Sequence, residues 1–193
     1  MCGPVPKIQS PPAVGLLELG DFSIRALGAE DFPTVRPLIE TTPPELFELP
    51  STDASFRALL DELARRPWSL PFGCFRNGEP VGICFMNVAQ VKNLNAYLVA
   101  LFSMPGESTL PLALYIRHAF WSFPLHRLYA HMPVSAAVSP HQQALERVGF
   151  KHEGVLVAHV VAPDGPQDVA VSGLLRDEFT AWCKQNQPEL ALG

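Results

Sequence analysis

Apolar residues recur along the chain with two different periods, and the shorter period marks the predicted strands. "FSIRAL" alternates apolar and polar positions, as a half-buried strand does. Two apolar runs flank Asn77-Gly78 in "PFGCFRNGEPVGICFMNV", which predicts a hairpin because this dipeptide favours a turn with two positive φ angles. "NAYLVALF" lacks alternation and predicts a strand buried on both faces. Further strands are predicted in "LHRLYAHMPV", "VLVAHVVA" and "DVAVSGLL".

Between the strands, apolar residues three and four positions apart predict amphipathic helices. In "DASFRALLDELARRP" this spacing is bounded by Asp53 as N-cap and by Pro67 as a stop. A second helix follows residues 103–108 and should present one apolar stripe to the core. The members of this stripe are Leu112, Ile116, Ala119 and Phe123. Other helices are predicted in "GAEDFPTVRPLIETT", "PHQQALERVGF" and "RDEFTAWCKQ".

The order of these elements predicts a mixed α/β fold built around one sheet. A strand, helices, a run of strands, a helix, a strand, a helix and a closing hairpin follow one another. Prolines in residues 1–20 favour an extended N-terminal arm, which leaves residues 21–193 as a single domain. Within that domain, Gly149 should end its helix in a left-handed conformation, with Phe150 packed inward.

Composition narrows the class of protein. The 193 residues are 48% hydrophobic and 17% charged, which is typical of a folded globular domain. No apolar run reaches the length of a membrane span, and scattered cysteines without a C-x-x-C pair indicate a reduced, cytoplasmic protein. A net charge of −5 argues against broad nucleic-acid binding. A small positive patch is compatible with the sequence at Arg117, Arg127, Arg147 and Lys151.

A glycine turn at residues 103–108 joins the end of a buried strand to a helix. Backbone N–H groups at a helix N-terminus have no partner within the helix, and the helix dipole favours negative charge, so such a turn suits a phosphate. This turn has no Arg or Lys, and Glu107 stands where an anion would sit. A purely structural turn, with Ser108 as N-cap and Pro111 in the first helical turn, explains the same residues.

The segment "ALERVGFKHEGVL" resembles the "EKxGFxxEG" signature of the GNAT acyltransferase superfamily, in the branch similar to ribosomal-protein N-terminal acetyltransferases. Three further segments resemble that branch in the same order. "FSIRALGAEDFPTVRPLI" resembles its opening strand and helix, "AFWSFPLHRLYAHM" its central helix and fifth strand, and "DGPQDVAVSGLLRDEF" its closing hairpin and last helix. The resemblance covers about residues 22–182 and implies a splayed, mixed central sheet flanked by helices.

The resemblance implies transfer of an acyl group from acyl-coenzyme A, as a co-substrate, to an amine. In the family the donor's pantetheine arm pairs with the fourth strand, and its pyrophosphate rests on the turn that follows. The matching residues of this chain are Phe102, Ser103, Met104, Gly106, Glu107, Ser108 and Thr109. Because the family's leading Arg or Gln is Ser103 here, we expect weak but real binding through main-chain N–H groups of the turn.

Acyl transfer to an amine requires a deprotonated nucleophile and a proton for the departing thiol. The Tyr that many relatives place before the "GF" pair is Leu145 here, so that acid is absent. His131 and His141 are the remaining titratable candidates, because the strand and helix that carry them flank the acceptor side of the family's cleft. A surface or hydrogen-bonded histidine is the structural alternative for each. No two histidines have the spacing of a helical metal site, so no metal is predicted.

Three hypotheses stay open from the sequence. The first is a GNAT-like enzyme that acylates an amine of a small metabolite or a peptide N-terminus. The second keeps the fold but takes the acyl group from an acyl carrier protein or an aminoacyl-tRNA. The third is a degenerate domain that binds a ligand without turnover, in keeping with the missing Arg and Tyr. We expect a monomer or homodimer that does not associate with membranes.

Overall fold

A mixed eight-stranded sheet with helices on both faces makes up the part of the protein that the computed structural model describes, residues 16–41, 50, 52–65, 69, 71–135, 139–162 and 165–191. The strands are β1 (Leu17–Leu19), β2 (Phe22–Ala26), β3 (Phe72–Arg76), β4 (Glu79–Gln90), β5 (Asn95–Phe102), β6 (Arg127–Pro133), β7 (Lys151–Ala162) and β8 (Gly165–Leu175). The helices are α1 (Phe32–Thr41), α2 (Asp53–Ala64), α3 (Thr109–Ser122), α4 (Ser139–Arg147) and α5 (Arg176–Asn186). This architecture confirms the predicted mixed α/β class.

The strands lie in the order β1-β2-β3-β4-β5-β6-β8-β7, and every neighbouring pair is antiparallel except β5 and β6. The hairpin between β3 and β4 is the one predicted, with Asn77 at φ 51° and Gly78 at φ 86°. Most of the arm predicted for residues 1–20 lies outside the described residues. Its last part forms β1, which pairs with β2 and extends the sheet.

The sheet separates two hydrophobic cores, one on each face. Side chains alternate along β5, so that Leu98 faces one core and Val99 the other. The first core is covered by α3 and α5, and α4 contributes Leu145 to it. The second core is covered by α1 and α2. The strand β5 is therefore buried on both faces, as its continuous apolar pattern predicts.

Two helices differ in detail from the prediction. The N-cap of α2 is Thr52, whose hydroxyl accepts a hydrogen bond from the Ser55 backbone N–H at 3.1 Å, whereas the predicted cap Asp53 forms an ion pair with Arg57. Pro67 lies outside the described residues. The helix α3 is buried on nearly all sides rather than along one stripe, since Arg117 is the only residue between positions 111 and 120 that is not buried.

The end of α4 confirms the prediction for Gly149. Its φ is +97°, and its N–H donates to the Glu146 carbonyl at 3.0 Å. The Phe150 N–H donates to the Leu145 carbonyl at 3.1 Å, and both side chains are buried in the first core. This pair of bonds is the Schellman arrangement that ends a helix at a left-handed residue.

Candidate active site

The strands β5 and β6 separate after a short region of parallel pairing. They pair only between Asn95–Tyr97 and Arg127–Tyr129, although β5 continues to Phe102 and β6 to Pro133. A wedge therefore opens between them, and the N-termini of α3 and α4 follow the two separated strand ends. Main-chain groups along the wedge are no longer paired across it, and such groups require other partners.

The turn between β5 and α3 lies at the open end of this wedge. The Ser103 N–H donates to the Val81 carbonyl at 3.1 Å, and the Glu107 N–H donates to the Met104 carbonyl at 3.0 Å within a short 3₁₀ turn. A methyl group placed on Gly106 would meet no atom within 4 Å, so the space beside the turn is open. The turn thus offers a helix N-terminus with room for an anion.

Four of the predicted donor residues line one small pocket at this turn. Its lining residues are Phe22, Val81, Phe102, Met104, Glu107 and Ser108. Phe102 and Ser108 are buried, and Met104 is 51% exposed. Ser108 occupies the N-cap position of α3 and Pro111 lies in its first turn, as the purely structural alternative predicts, although the Ser108 side chain makes no capping hydrogen bond.

An arginine that the sequence analysis missed lies beside the turn. Arg76, at the end of β3, forms ion pairs with Glu107 and, at 2.7 Å, with Asp21. The guanidinium is the main reason why the pKa of Asp21 is lowered. One positive and two negative charges therefore surround the turn, which leaves a net charge of −1. No local signal links Arg76 to Glu107, because the two are 31 positions apart and meet only through the sheet.

His141 is a buried and unsatisfied imidazole on the first turn of α4. Its side chain is 6% exposed, and among the described residues neither ring nitrogen has a hydrogen-bond partner of good geometry. Burial lowers its pKa, and the nearby Phe102 carbonyl opposes that change without forming a well-shaped hydrogen bond. An unpaired buried polar group is costly, so this ring is a candidate for contact with a ligand in the wedge.

His131 lies on β6, two residues beyond the last pair with β5. Its ring centroid is 5.3 Å from that of Tyr97, 5.6 Å from Tyr129 and 6.0 Å from His159. Burial, followed by the charge of His159, lowers the pKa of His131, which favours the neutral imidazole at neutral pH. Burial also raises the pKa of Tyr97, which therefore stays an uncharged phenol.

The two predicted catalytic histidines do not lie together. His131 shares its face of the sheet with Tyr97, which packs on the second core, whereas α4 packs against the first core through Leu145. His131 and His141 therefore belong to opposite faces of the sheet. The aromatic neighbours of His131 were missed in the sequence, although Tyr129 stands two positions before His131 on the same strand, a spacing that places both on one face.

At least half of the predicted positive patch is neutralised by carboxylates. Arg127 on β6 forms an ion pair with Glu153, and Lys151 pairs with Glu178. Among the described residues, no group of three or more metal-binding side chains is close enough to hold an ion. No described helix has the length and apolar character needed to cross a membrane.

No family model and no curated protein matches the sequence. Solved structures match the fold closely, however. RimJ from Mycobacterium smegmatis in complex with a CoA disulfide is 22% identical, with a TM-score of 0.70 over 87% of this chain and 89% of that one. A GCN5-related N-acetyltransferase from Brucella melitensis is 21% identical, with a TM-score of 0.70 over 95% and 90%. RimL, a ribosomal-protein acetyltransferase in complex with coenzyme A, is 15% identical, with a TM-score of 0.69 over 85% and 99%. The chain therefore has the fold of the GNAT acetyltransferases, as the resemblance of its four segments implied.

Proposed function

We propose that the protein is an N-acyltransferase that takes an acyl group from acyl-coenzyme A and transfers it to an amine. The observation that carries this proposal is the wedge between β5 and β6, which opens beside the N-terminus of α3. Proteins of similar fold are acetyltransferases, and two of the three compared above are complexes with coenzyme A or its disulfide.

The donor would lie across the wedge and end at the turn. The amide groups of the pantetheine arm can pair with main-chain groups of β5 beyond Tyr97, and the pyrophosphate suits the N–H groups at the start of α3. The open space at Gly106 fits this placement. The carboxylates of Asp21 and Glu107 oppose an anion, and Arg76 offsets only one of them, so we expect weak binding of free coenzyme A.

His141 would contact the donor rather than the acceptor. It lies next to the Phe102 carbonyl, at the end of the strand that the donor arm would follow, and neither ring nitrogen has a partner of good geometry among the described residues. A bound donor that offers one hydrogen-bonding group to this ring would reduce the cost of the buried imidazole. In this proposal His141 aligns the donor.

His131 would accept the proton of the amine on the opposite face. The amine nitrogen bonds to the acyl carbon, the carbon–sulfur bond breaks, the amine proton passes to His131 directly or through one water, and the thiolate takes up a proton from solvent. A neutral imidazole is the required form of this base, and the lowered pKa of His131 favours that form.

A donor delivered on a carrier protein is a second candidate. The net negative charge around the turn favours a carrier-bound donor. A carrier protein supplies binding energy through its own contacts, whereas a free nucleotide depends on contacts at the turn itself. An aminoacyl-tRNA donor gains less support, since Arg127 and Lys151 are engaged with Glu153 and Glu178.

The proposal is tested by calorimetry with coenzyme A and by release of free thiol from acetyl-coenzyme A in the presence of amines and short peptides. His131→Ala should lower kcat about 100-fold and remove the acidic limb of the pH profile, which the lowered pKa of His131 places below the ordinary histidine value near 6.5. His126→Ala is the matched control, because His126 is exposed just before β6 and should leave the rate unchanged. Absence of both coenzyme A binding and thiol release in the unaltered chain would overturn the proposal.

A further inference from the structure

The strand β7 carries a bulge that distorts its pairing with β8. Leu156 pairs with Val169 and Val160 pairs with Gln167, so three residues of β7 stand opposite the single residue Asp168. Bulges bend a strand and redirect side chains, and they occur often next to active sites. This bulge therefore alters the direction of the side chains at positions 157–159.

The bulge is held in an uncommon backbone conformation. Ala158 has a φ of +51°, a left-handed value that residues other than glycine seldom adopt. Its N–H donates a hydrogen bond to the Asp168 carboxylate at 2.8 Å. A strained residue persists where its surroundings fix it, and such residues cluster at functional sites.

The bulge brings His159 to His131, although the two residues lie on strands that are not neighbours. The strand β8 lies between β6 and β7, so backbones two strands apart are about 9.5 Å apart. The ring centroids of His131 and His159 are only 6.0 Å apart, with the ring planes at 89°. The His159 side chain must therefore lean across β8 to reach its partner.

Of the described residues whose rings contact His131, His159 is the one that can carry a positive charge. Tyr97 on β5 and Tyr129 on β6 contact His131 through their aromatic rings. The Asp168 carboxylate of β8 accepts the Ala158 N–H, and its backbone carbonyl accepts the Val134 N–H at 2.9 Å. A protonated His159 repels a second proton on His131, which agrees with its contribution to the lowered pKa of His131.

We propose that His159 is a positioning residue of the acceptor-side site, aimed at His131 by the β7 bulge so that its charge keeps His131 unprotonated as the medium becomes acidic. The inference rests on the proposed role of His131 as a base. The coupling between the two rings can nevertheless be measured without turnover.

The test is an NMR titration of the histidine ring protons in the full-length chain, compared with His159→Gln. Replacing His159 removes a like charge, so His131 should protonate at a higher pH. Two unit charges about 6 Å apart in water interact weakly, which corresponds to about a threefold higher ratio of protonated to neutral His131 at pH 6. His152→Gln is the matched control, because His152 is exposed on the same strand and makes no ring contact with His131 in the described structure.

The salt dependence of the His131 titration is a second measurement. A purely structural role of His159 would not make that titration depend on salt. About 1 M NaCl should shift the titration of His131 in the unaltered chain toward that of His159→Gln, and should change the variant little. In the enzyme assay, His159→Gln should lower kcat/KM by about twofold or less at pH 6, because only the neutral fraction of His131 is lost, and should leave it unchanged at pH 8.5. A His131 titration that is identical in both proteins overturns the inference, even if the protein is an active transferase. A shifted titration in a protein without transferase activity supports the coupling and instead counts against the proposed function.

Discussion

The ion pair between Glu107 and Arg76 makes the donor turn a direct target for mutation. In Glu107→Gln the side chain keeps its size and loses its charge, and the guanidinium of Arg76 loses one of its two carboxylate partners. The net charge of the group formed by Asp21, Arg76 and Glu107 then rises from −1 to zero. The freed guanidinium can also contact a phosphate, so we expect coenzyme A to bind more tightly for both reasons.

The expected magnitude follows from the exposure of these groups. A charge-assisted hydrogen bond at a dry site changes Kd by about one to two orders of magnitude. Arg76 and Glu107 are 43% and 52% exposed, so solvent screening reduces the gain to about twofold to fivefold. For the same reason the lost ion pair should change the melting temperature little.

Isothermal titration calorimetry with coenzyme A at low ionic strength measures this change. Glu40→Gln removes the same charge from α1, on the other face of the sheet, and should leave Kd unchanged. In an Arg76→Gln background the effect of Glu107→Gln should shrink, because no guanidinium is released. An unchanged Kd in Glu107→Gln, or equal tightening with and without Arg76, would refute the reasoning.

Two further predictions concern stability. Gly149→Val should lower the free energy of unfolding by about 1 kcal/mol or more, because φ is +97° there, whereas Gly106→Ala should leave the melting temperature unchanged. His118, buried against Phe72 with its ring centroid 4.7 Å away, has its pKa lowered to about 4 by burial. Between the unfolded value near 6.5 and pH 4 the unfolded state binds more protons, so stability falls as the pH is lowered. In His118→Phe the melting temperature should depend less on pH between 7 and 4.5, and an unaltered pH dependence would contradict this assignment.

The local sequence was sufficient to predict those elements whose backbone conformation is set by residues adjacent in the chain. The turn at Asn77-Gly78 requires two positive φ angles, and Gly149 supplies the left-handed end of α4. The continuous apolar run of β5 predicted burial on both faces, because only a central strand between two cores buries every side chain. The candidate donor turn was also visible, since a glycine turn before a helix is a feature of contiguous residues.

The arrangement of the candidate site depended on contacts between residues far apart in the chain, which only the tertiary structure determined. Arg76 reaches Glu107 across 31 positions, because β3 and the turn after β5 meet at one end of the sheet. His131 and His141 are ten positions apart in sequence, yet β6 and α4 place them on opposite faces. His159 approaches His131 from a bulge in a strand two places away in the sheet. The hydrophobic period and the turn residues of a segment indicate the backbone conformation of that segment alone. Which charges and rings meet at a site depends on how the strands pair and separate in three dimensions.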